Sequence, residues 1–262
     1  MSDLWRKTST LLSVYFAYMT QYRVELWLWA LASTLPLLSM GAWMNAADVG
    51  IVNLDAATVG RYFLSVFVVR QMTVVWVIWD VEEDLHDGNL SHHLLQPMDP
   101  VWRHIAGHVS ERAARLPFTA VLICFFALLV EEVRFIPTLA NLGRFTIALG
   151  VVFVFRFLVQ HTFSMFSFWT ERSHAIEGLW NLPYLFLSGM LAPLEAFPQN
   201  VRDIVEWTPF PMMVAVPANV LLGRDVDYSQ ALLVFLLWGV PFLVLNRVLW
   251  RLGLKRFSAM GA

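Results

Sequence analysis

Residues 80–100 read DVEEDLHDGNLSHHLLQPMDP. The segment holds six acids and three histidines but no Lys or Arg, in a chain that is 58% hydrophobic and only 15% charged. A soluble domain of this length carries about a quarter charged residues. So polar a segment inside so apolar a chain reads as a connection between membrane spans, and its order gives it a shape. Asp80, Glu83, Asp84 and Asp87 fall at i, i+3, i+4 and i+7, one face of a helix that continues the apolar run before it. Gly88 permits a sharp turn. Asn89 is a good N-cap, and LSHHLLQ then makes about two helical turns, with Leu90 and Leu94 on one face and Leu95 beside them. Pro97 ends that helix and Pro100 opens the next. The expected result is a short helix across one end of a bundle, exposing leucines and histidines as a docking surface.

Working outward, the apolar runs place spans at about 25–43, 62–79, 106–130, 145–169, 176–191 and 229–250. The chain thus reads as one all-α integral membrane domain over 1–262 with six transmembrane helices. Before the first span, residues 1–23 are amphipathic, with Leu4, Leu11, Leu12, Tyr15 and Met19 at helical spacing beside Arg6 and Lys7. They read as an interfacial helix. They lack a signal-peptide core and cleavage site, so the first span is expected to act as the membrane signal. With both termini cytosolic, the inner side would hold Arg6, Lys7, Arg103, Arg247, Lys255 and Arg256 among others, against Arg61, Arg134, Arg144, Arg202 and Arg224 outside. Residues 80–100 are then cytosolic. Residues 192–227 carry Pro193, Pro198, Pro209, Pro211 and Pro217 between short apolar pieces. They suit re-entrant or interfacial helices on the outer side.

Several chemistries are excluded. No G-x-x-x-x-G-K-[ST], G-x-S-x-G or H-E-x-x-H occurs. The single Cys124 allows neither an internal disulfide nor a cysteine metal motif. A net charge of −2 gives nucleic acid no basic footprint. His104 and His108, spaced i, i+4 with Glu111 one turn on, could face one metal. There is no second tight pair, however, and Pro97 and Pro100 separate this group from His86, His92 and His93. Solvated or interfacial histidines are therefore expected, with no metal site. Arg70 and Arg156 lie near the middles of spans two and four, where a charge needs a partner or a cavity. None of the six spans places an acid deep beside them. The two arginines are candidates for lining a path through the bundle or for an interface with a second chain, the alternative being bonds to backbone or to Gln71, Gln160 or His161. The many tryptophans read as interfacial belts and lipid-facing bulk.

EDLHDGNLSHHLLQPMDP (residues 83–100) resembles the cytosolic loop of ABC-2-type ABC transporter permeases. LSGMLAPLEAFPQNVRDIVEWTPF (residues 187–210) is similar to that family's Gly/Pro-rich segment after span five, and VVRQMTVVWVIWD (residues 68–80) is similar to bacterial permeases without a fused ATPase. The resemblance implies a coupling helix around Gly88, Asn89, Leu90, His92, His93, Leu94 and Leu95 that docks on a separate ATP-binding subunit. His92 and His93 depart from the residues expected there. The resemblance also implies a second permease, identical or paralogous, a bacterial inner-membrane location, an amphipathic or lipid-linked substrate, and export. ATP and Mg would be bound by the partner ATPase; this chain would hold no cofactor and break no bonds. The rivals are an ATP-independent transporter, a lipid-modifying membrane enzyme using the His/Asp cluster, and a purely structural subunit.

Overall fold

Pro36 decides how the first long helix runs. It has no N–H to give the preceding turn, and its ring crowds that turn. Helix α2 (Arg23–Ala32) accordingly stops, and α3 (Leu35–Asp48) starts with Pro36 in its first turn. This computed structural model describes residues 2–51, 54–170 and 172–257. Met1 of the expected 1–23 helix, the side chain of Leu4 and residues 258–262 of the expected domain lie outside these. The stretch expected to form an interfacial helix is helical over α1 (Ser2–Gln21).

The second long run breaks as well. Helix α4 (Ala56–Thr73) and α5 (Val77–His86) are separated by Val74, Val75 and Trp76, with Val74 in extended backbone. The six-residue α6 (Asn89–Leu94) follows, then the 29-residue α7 (Val101–Leu129) and α8 (Leu139–Ser164). Then come α9 (His174–Leu187), α10 (Gln199–Val205), α11 (Phe210–Met213), α12 (Ala215–Leu222) and the long α13 (Tyr228–Arg256). Among the described residues every regular element is helical.

Among the described residues, five stretches are long and apolar enough to cross a membrane: Arg23–Asp48, Ala56–His86, Val101–Leu129, Leu139–Phe168 and Tyr228–Arg256. The Ala56–His86 stretch runs through the middle, with Val59, Tyr62, Phe63, Val66, Phe67 and Val69 at 1% exposure or less. The outer helices turn aliphatic side chains outward, among them Leu128, Ile147, Val154, Leu236 and Val244. That is the pattern of a bundle whose solvent is lipid. The expected span at 176–191 is the 14-residue α9. At 1.5 Å per residue it is about 21 Å long, against a hydrocarbon core of about 30 Å. Its chain turns at Gly189, whose φ of 87° is open to glycine and costly for other residues.

The irregular backbone after α9 is sealed by side chains. Tyr62 Oη donates to the Gly189 carbonyl at 2.9 Å, Trp43 Nε1 donates to the Leu191 carbonyl at 2.7 Å, and the Ala215 amide donates to the Ser188 carbonyl at 3.1 Å. Non-helical backbone inside a membrane protein persists where protein groups satisfy it in this way. Residues 192–227 are mostly short helices, as the prolines imply. Helices α11 and α12 are buried in the bundle, with Phe210, Met213, Val214, Ala215 and Ala218 in its main apolar core.

A Cβ at position 189 would meet Tyr62 Oη at 2.3 Å while holding a positive φ. We expect Gly189→Ala to cost on the order of 2–4 kcal/mol. A lowered apparent thermal midpoint in detergent would report it, and an unchanged midpoint would refute this account of the turn.

Candidate functional site

The break between α4 and α5 exposes carbonyls that a continuous helix would satisfy. One side chain collects them. Arg112 of α7 donates from Nε to the Met72 carbonyl at 2.7 Å, from Nη2 to the Val74 carbonyl, and from Nη1 to the His108 carbonyl of its own helix. Its guanidinium lies 4.0 Å from the Phe153 ring centroid. The planar fork of arginine suits three acceptors at once. The first long run has a parallel arrangement, because Gln71 Nε2 donates to the Ala30 carbonyl at 2.9 Å near the end of α2.

Below this hinge, α5, α6 and the start of α7 form a compact foot. Gly88, at φ 74°, turns the chain and takes the N-cap position itself, so Asn89 is the first helical residue rather than the cap. Leu90 was expected among the exposed leucines, but it is 4% exposed and packs with Val81, Leu85, Phe157 and Met165. It sits two residues after the Gly88 turn and belongs to an apolar cluster with residues of α5, whereas Leu94, one turn along α6, is exposed. Leu94 is 40% and Leu95 86% exposed, and His92 is exposed as well. The foot thus has a buried anchor and an open tip.

The histidines that the prolines seemed to keep apart do converge. His93 Nδ1 is 3.2 Å from an Asp84 oxygen, and His104 Nε2 is 3.6 Å from the same oxygen. His104 Nδ1 is 3.9 Å and His108 Nε2 3.4 Å from Asp80. His108 Nδ1 then reaches Glu111 at 3.4 Å, and Glu111 pairs with Arg115. The result is an alternating ladder of imidazole and carboxylate that ties α5 and α6 to α7. Partial burial pushes the His93 imidazole down from its usual value, against the Asp84 carboxylate, which favours the charged form. Among the described residues, no group of three or more His, Cys, Asp or Glu is arranged to hold a metal ion.

Glu82 points away from the acidic face of α5 and is 8% exposed. It accepts from Ser173 Oγ at 2.8 Å and from the His174 amide at 3.2 Å, and lies 3.0 Å from His174 Nδ1. The start of α9 is thereby fastened to α5. Trp79 stacks on the same His174 ring at 4.3 Å between centroids. Sequence reasoning missed Glu82. Its signal was there, since it is the one acid of 80–87 off the shared helical face.

Arg70 and Arg156 converge on one neighbourhood, around α9. Arg156 donates from Nη1 to Tyr184 Oη at 2.6 Å, with its guanidinium 4.6 Å from that ring's centroid. Arg70 Nη1 lies 3.1 Å from Met190 Sδ, and its Nε has no hydrogen-bond partner among the described residues. Glu177 of α9 is 8% exposed and accepts from Gln160 Nε2. His161 does not meet Arg156; its Nδ1 accepts from Asn246 Nδ2 at 2.9 Å, which joins α8 to α13.

A cavity of about 770 Å³ opens between α1, the start of α2, α5 and α7. The ladder from His93 to Arg115 forms one wall, and Tyr15, Tyr18, Tyr22 and Trp29 form the other. Helix α1 is held there by Arg103 Nε donating to Tyr15 Oη at 3.3 Å and by Ser110 Oγ donating to the Leu12 carbonyl at 3.1 Å.

No curated protein matches this sequence. A model of the family described as ABC-2 family transporter protein matches residues 52–261, from the break before α4 past the end of α13. That family supplies membrane components of ABC transporters, which makes this chain a transport subunit rather than an enzyme. With most of its length matched and five helices fit to cross a membrane, the chain belongs to the ABC-2 family of transporter membrane proteins.

Proposed function

We propose that this chain is the permease subunit of an ATP-driven exporter, coupled through residues 80–100 to a separate ATPase that binds the ATP and Mg. The observation that carries this is the foot. Two exposed leucines, Leu94 and Leu95, are presented by a helix whose other leucine, Leu90, is rooted in an apolar cluster. An apolar tip on a braced base suits a partner that must push as well as bind. Gly88 sets the angle of the tip, Asn89 begins it, and His92 and His93 border it. On this reading Leu90 transmits force and Leu94 and Leu95 make contact.

The links above the foot support a route for that force. Closure of the ATPase dimer on ATP supplies the bias between two states, since a ligand shifts populations only by its differential affinity. Movement of α6 passes through Leu90 to α5, and through Glu82 to Ser173 and His174 at the start of α9. The hinge at Val74–Trp76, held by Arg112, is where α5 can swing relative to α4.

The full assembly in this proposal has two permeases, identical or paralogous, in a bacterial inner membrane with both termini cytosolic. Helix α9, extended by the sealed turn at Ser188–Leu191, makes the sixth crossing. Residues 192–227 then lie towards the outer side, and α1 lies at the cytosolic interface. The substrate is amphipathic or lipid-linked. Arg156, satisfied by Tyr184, is a structural residue in this account. Arg70, with one unpartnered nitrogen, is the candidate for the path or for the permease–permease interface.

Three outcomes are expected. The double variant L94D/L95D should fold, with an unchanged elution profile, but fail to co-purify with its ATPase; retained association would remove the foot as the docking element. Glu82→Gln should keep the ATPase bound while transport in proteoliposomes falls at least several-fold, because one carboxylate would no longer join α5 to α9. Equal transport by this variant would break the proposed route. Arg156→Gln should lower the apparent thermal midpoint, consistent with loss of about 1–3 kcal/mol, whereas Arg70→Gln should leave it unchanged and alter transport.

A further inference from the structure

Arg115, in the wall of the cavity between α1, α2, α5 and α7, is only partly used. It is 1% exposed and the largest fully buried side chain among the described residues. Its Nη2 pairs with Glu111, while Nε and Nη1 have no hydrogen-bond partner among the described residues. No other described residue has two such atoms. A buried donor left unpaired costs about 1–3 kcal/mol, more on a charged group, and arginine cannot shed its proton to escape that cost. The cavity beside it holds about 770 Å³, within the roughly 300–1,000 Å³ of small-molecule sites. Two charged N–H donors in such a wall call for an acceptor.

The rest of the lining limits what that acceptor can belong to. Glu25, Asp80, Glu83, Asp84 and Glu111 all line the cavity. Against them stand only Arg103 and Arg115, so carboxylates are three in excess. Asp80 and Asp84 face imidazoles, and Glu25 accepts from Trp29 Nε1 at 3.1 Å, contacts that supply no fixed positive charge. The Tyr18 hydroxyl is pushed above its usual value, by partial burial first, then by Tyr22 and by the Glu25 and Glu83 carboxylates. Carboxylates from α2 and α5 thus act on one phenol of α1. A plain anion would enter against this excess, and a plain cation would leave Arg115 as unpaired as before. A ligand carrying both charges meets both demands.

The two demands lie close together. His108, Glu111 and Arg115 fall at i, i+3 and i+7 on α7, about 10 Å from first to last, and Asp80 faces His108 at 3.4 Å. An anion and a cation joined by a few bonds, with a charge-assisted bond of about 2.8 Å at each end, are of that length. Tyr15, Tyr18, Tyr22, Trp29, Trp76 and Trp79 complete the lining. Their faces attract an ammonium and also cover an apolar chain.

We infer that this cavity is a binding site for a zwitterionic amphiphile of the aminophospholipid kind. Its anionic oxygens bind Arg115, its ammonium lies among Glu25, Asp80, Glu83 and the rings, and its apolar chain leaves beside α1. Binding is read on this chain alone, without an ATPase or a second permease, so its failure leaves the docking foot untouched.

The test uses the full chain purified in dodecylmaltoside, an uncharged polyhydroxyl amphiphile, and counts bound ligand by native mass spectrometry during titration with lysophosphatidylethanolamine. One lysolipid per chain is expected. Lysophosphatidic acid, which lacks the ammonium, and an alkylammonium of equal chain length, which lacks the phosphate, should each bind at least tenfold more weakly. The variant E25Q/E83Q changes exposed side chains only and should cut the preference over lysophosphatidic acid several-fold, with unchanged elution. Arg115→Lys keeps a charge opposite Glu111 but loses the spare donors. It should weaken the zwitterion at least tenfold and leave the alkylammonium unchanged. If Arg115→Lys misfolds, the headgroup comparison and E25Q/E83Q decide. No adduct in the maltoside background, equal binding of the three amphiphiles, or a preference indifferent to E25Q/E83Q would overturn the inference. Displacement of the lysolipid by free phosphoethanolamine at equal concentration would overturn the assignment to an amphiphile.

Discussion

A membrane core will not tolerate a carbonyl with nothing to accept from. That constraint shapes this chain more than any single apolar contact. Two of its five long runs break partway, at Pro36 and at Val74–Trp76, and each break leaves acceptors to be filled. Arg112 and Gln71 fill them from neighbouring helices. The turn after α9 is closed the same way by Tyr62 and Trp43. The polar and aromatic side chains that interrupt the apolar sequence are thus largely repairs to backbone that is not helical. Each repair joins two helices that would otherwise meet only through dispersion forces.

The architecture was legible wherever local rules decide. The apolar runs, the Gly88 turn, the prolines flanking α6 and the amphipathic stretch that becomes α1 follow from spacing and from proline and glycine chemistry. The Val74–Trp76 break was not legible, because VVW contains no breaker. Its cause sits 38 residues further along the chain, in the Arg112 contact with Val74. Leu90 was misjudged for a related reason. Helical spacing puts Leu90 and Leu94 on one face, but which end of so short a helix abuts the bundle is a tertiary fact. The His/Asp ladder was misjudged because sequence distance across Pro97–Pro100 says nothing about two helices folding back side by side.

Several of the buried charges of this protein gather at one end of the bundle. Arg112, Arg115, Glu82 and Glu111 all lie in or beside the α5–α7 foot, most of them buried and bonded. Mutual pairing of this kind rigidifies a region while leaving it sensitive to the loss of any one member. The membrane-facing helices α8 and α13, by contrast, depend on apolar packing and on single polar contacts such as Asn246 with His161. The region bearing the exposed leucines is therefore also braced by several buried polar bonds.

The Arg112 contact also bears on how the protein is made. A ribosome delivers the chain in order, and α4 and α5 enter the membrane before α7 has been synthesised. Until Arg112 arrives, the carbonyls of Met72 and Val74 have no final partner. The two halves of that run must then wait at the translocon or at the lipid headgroups, or bond provisionally as one unbroken helix. The bend is a product of biogenesis completed in retrospect, and the third long helix is what finishes the second.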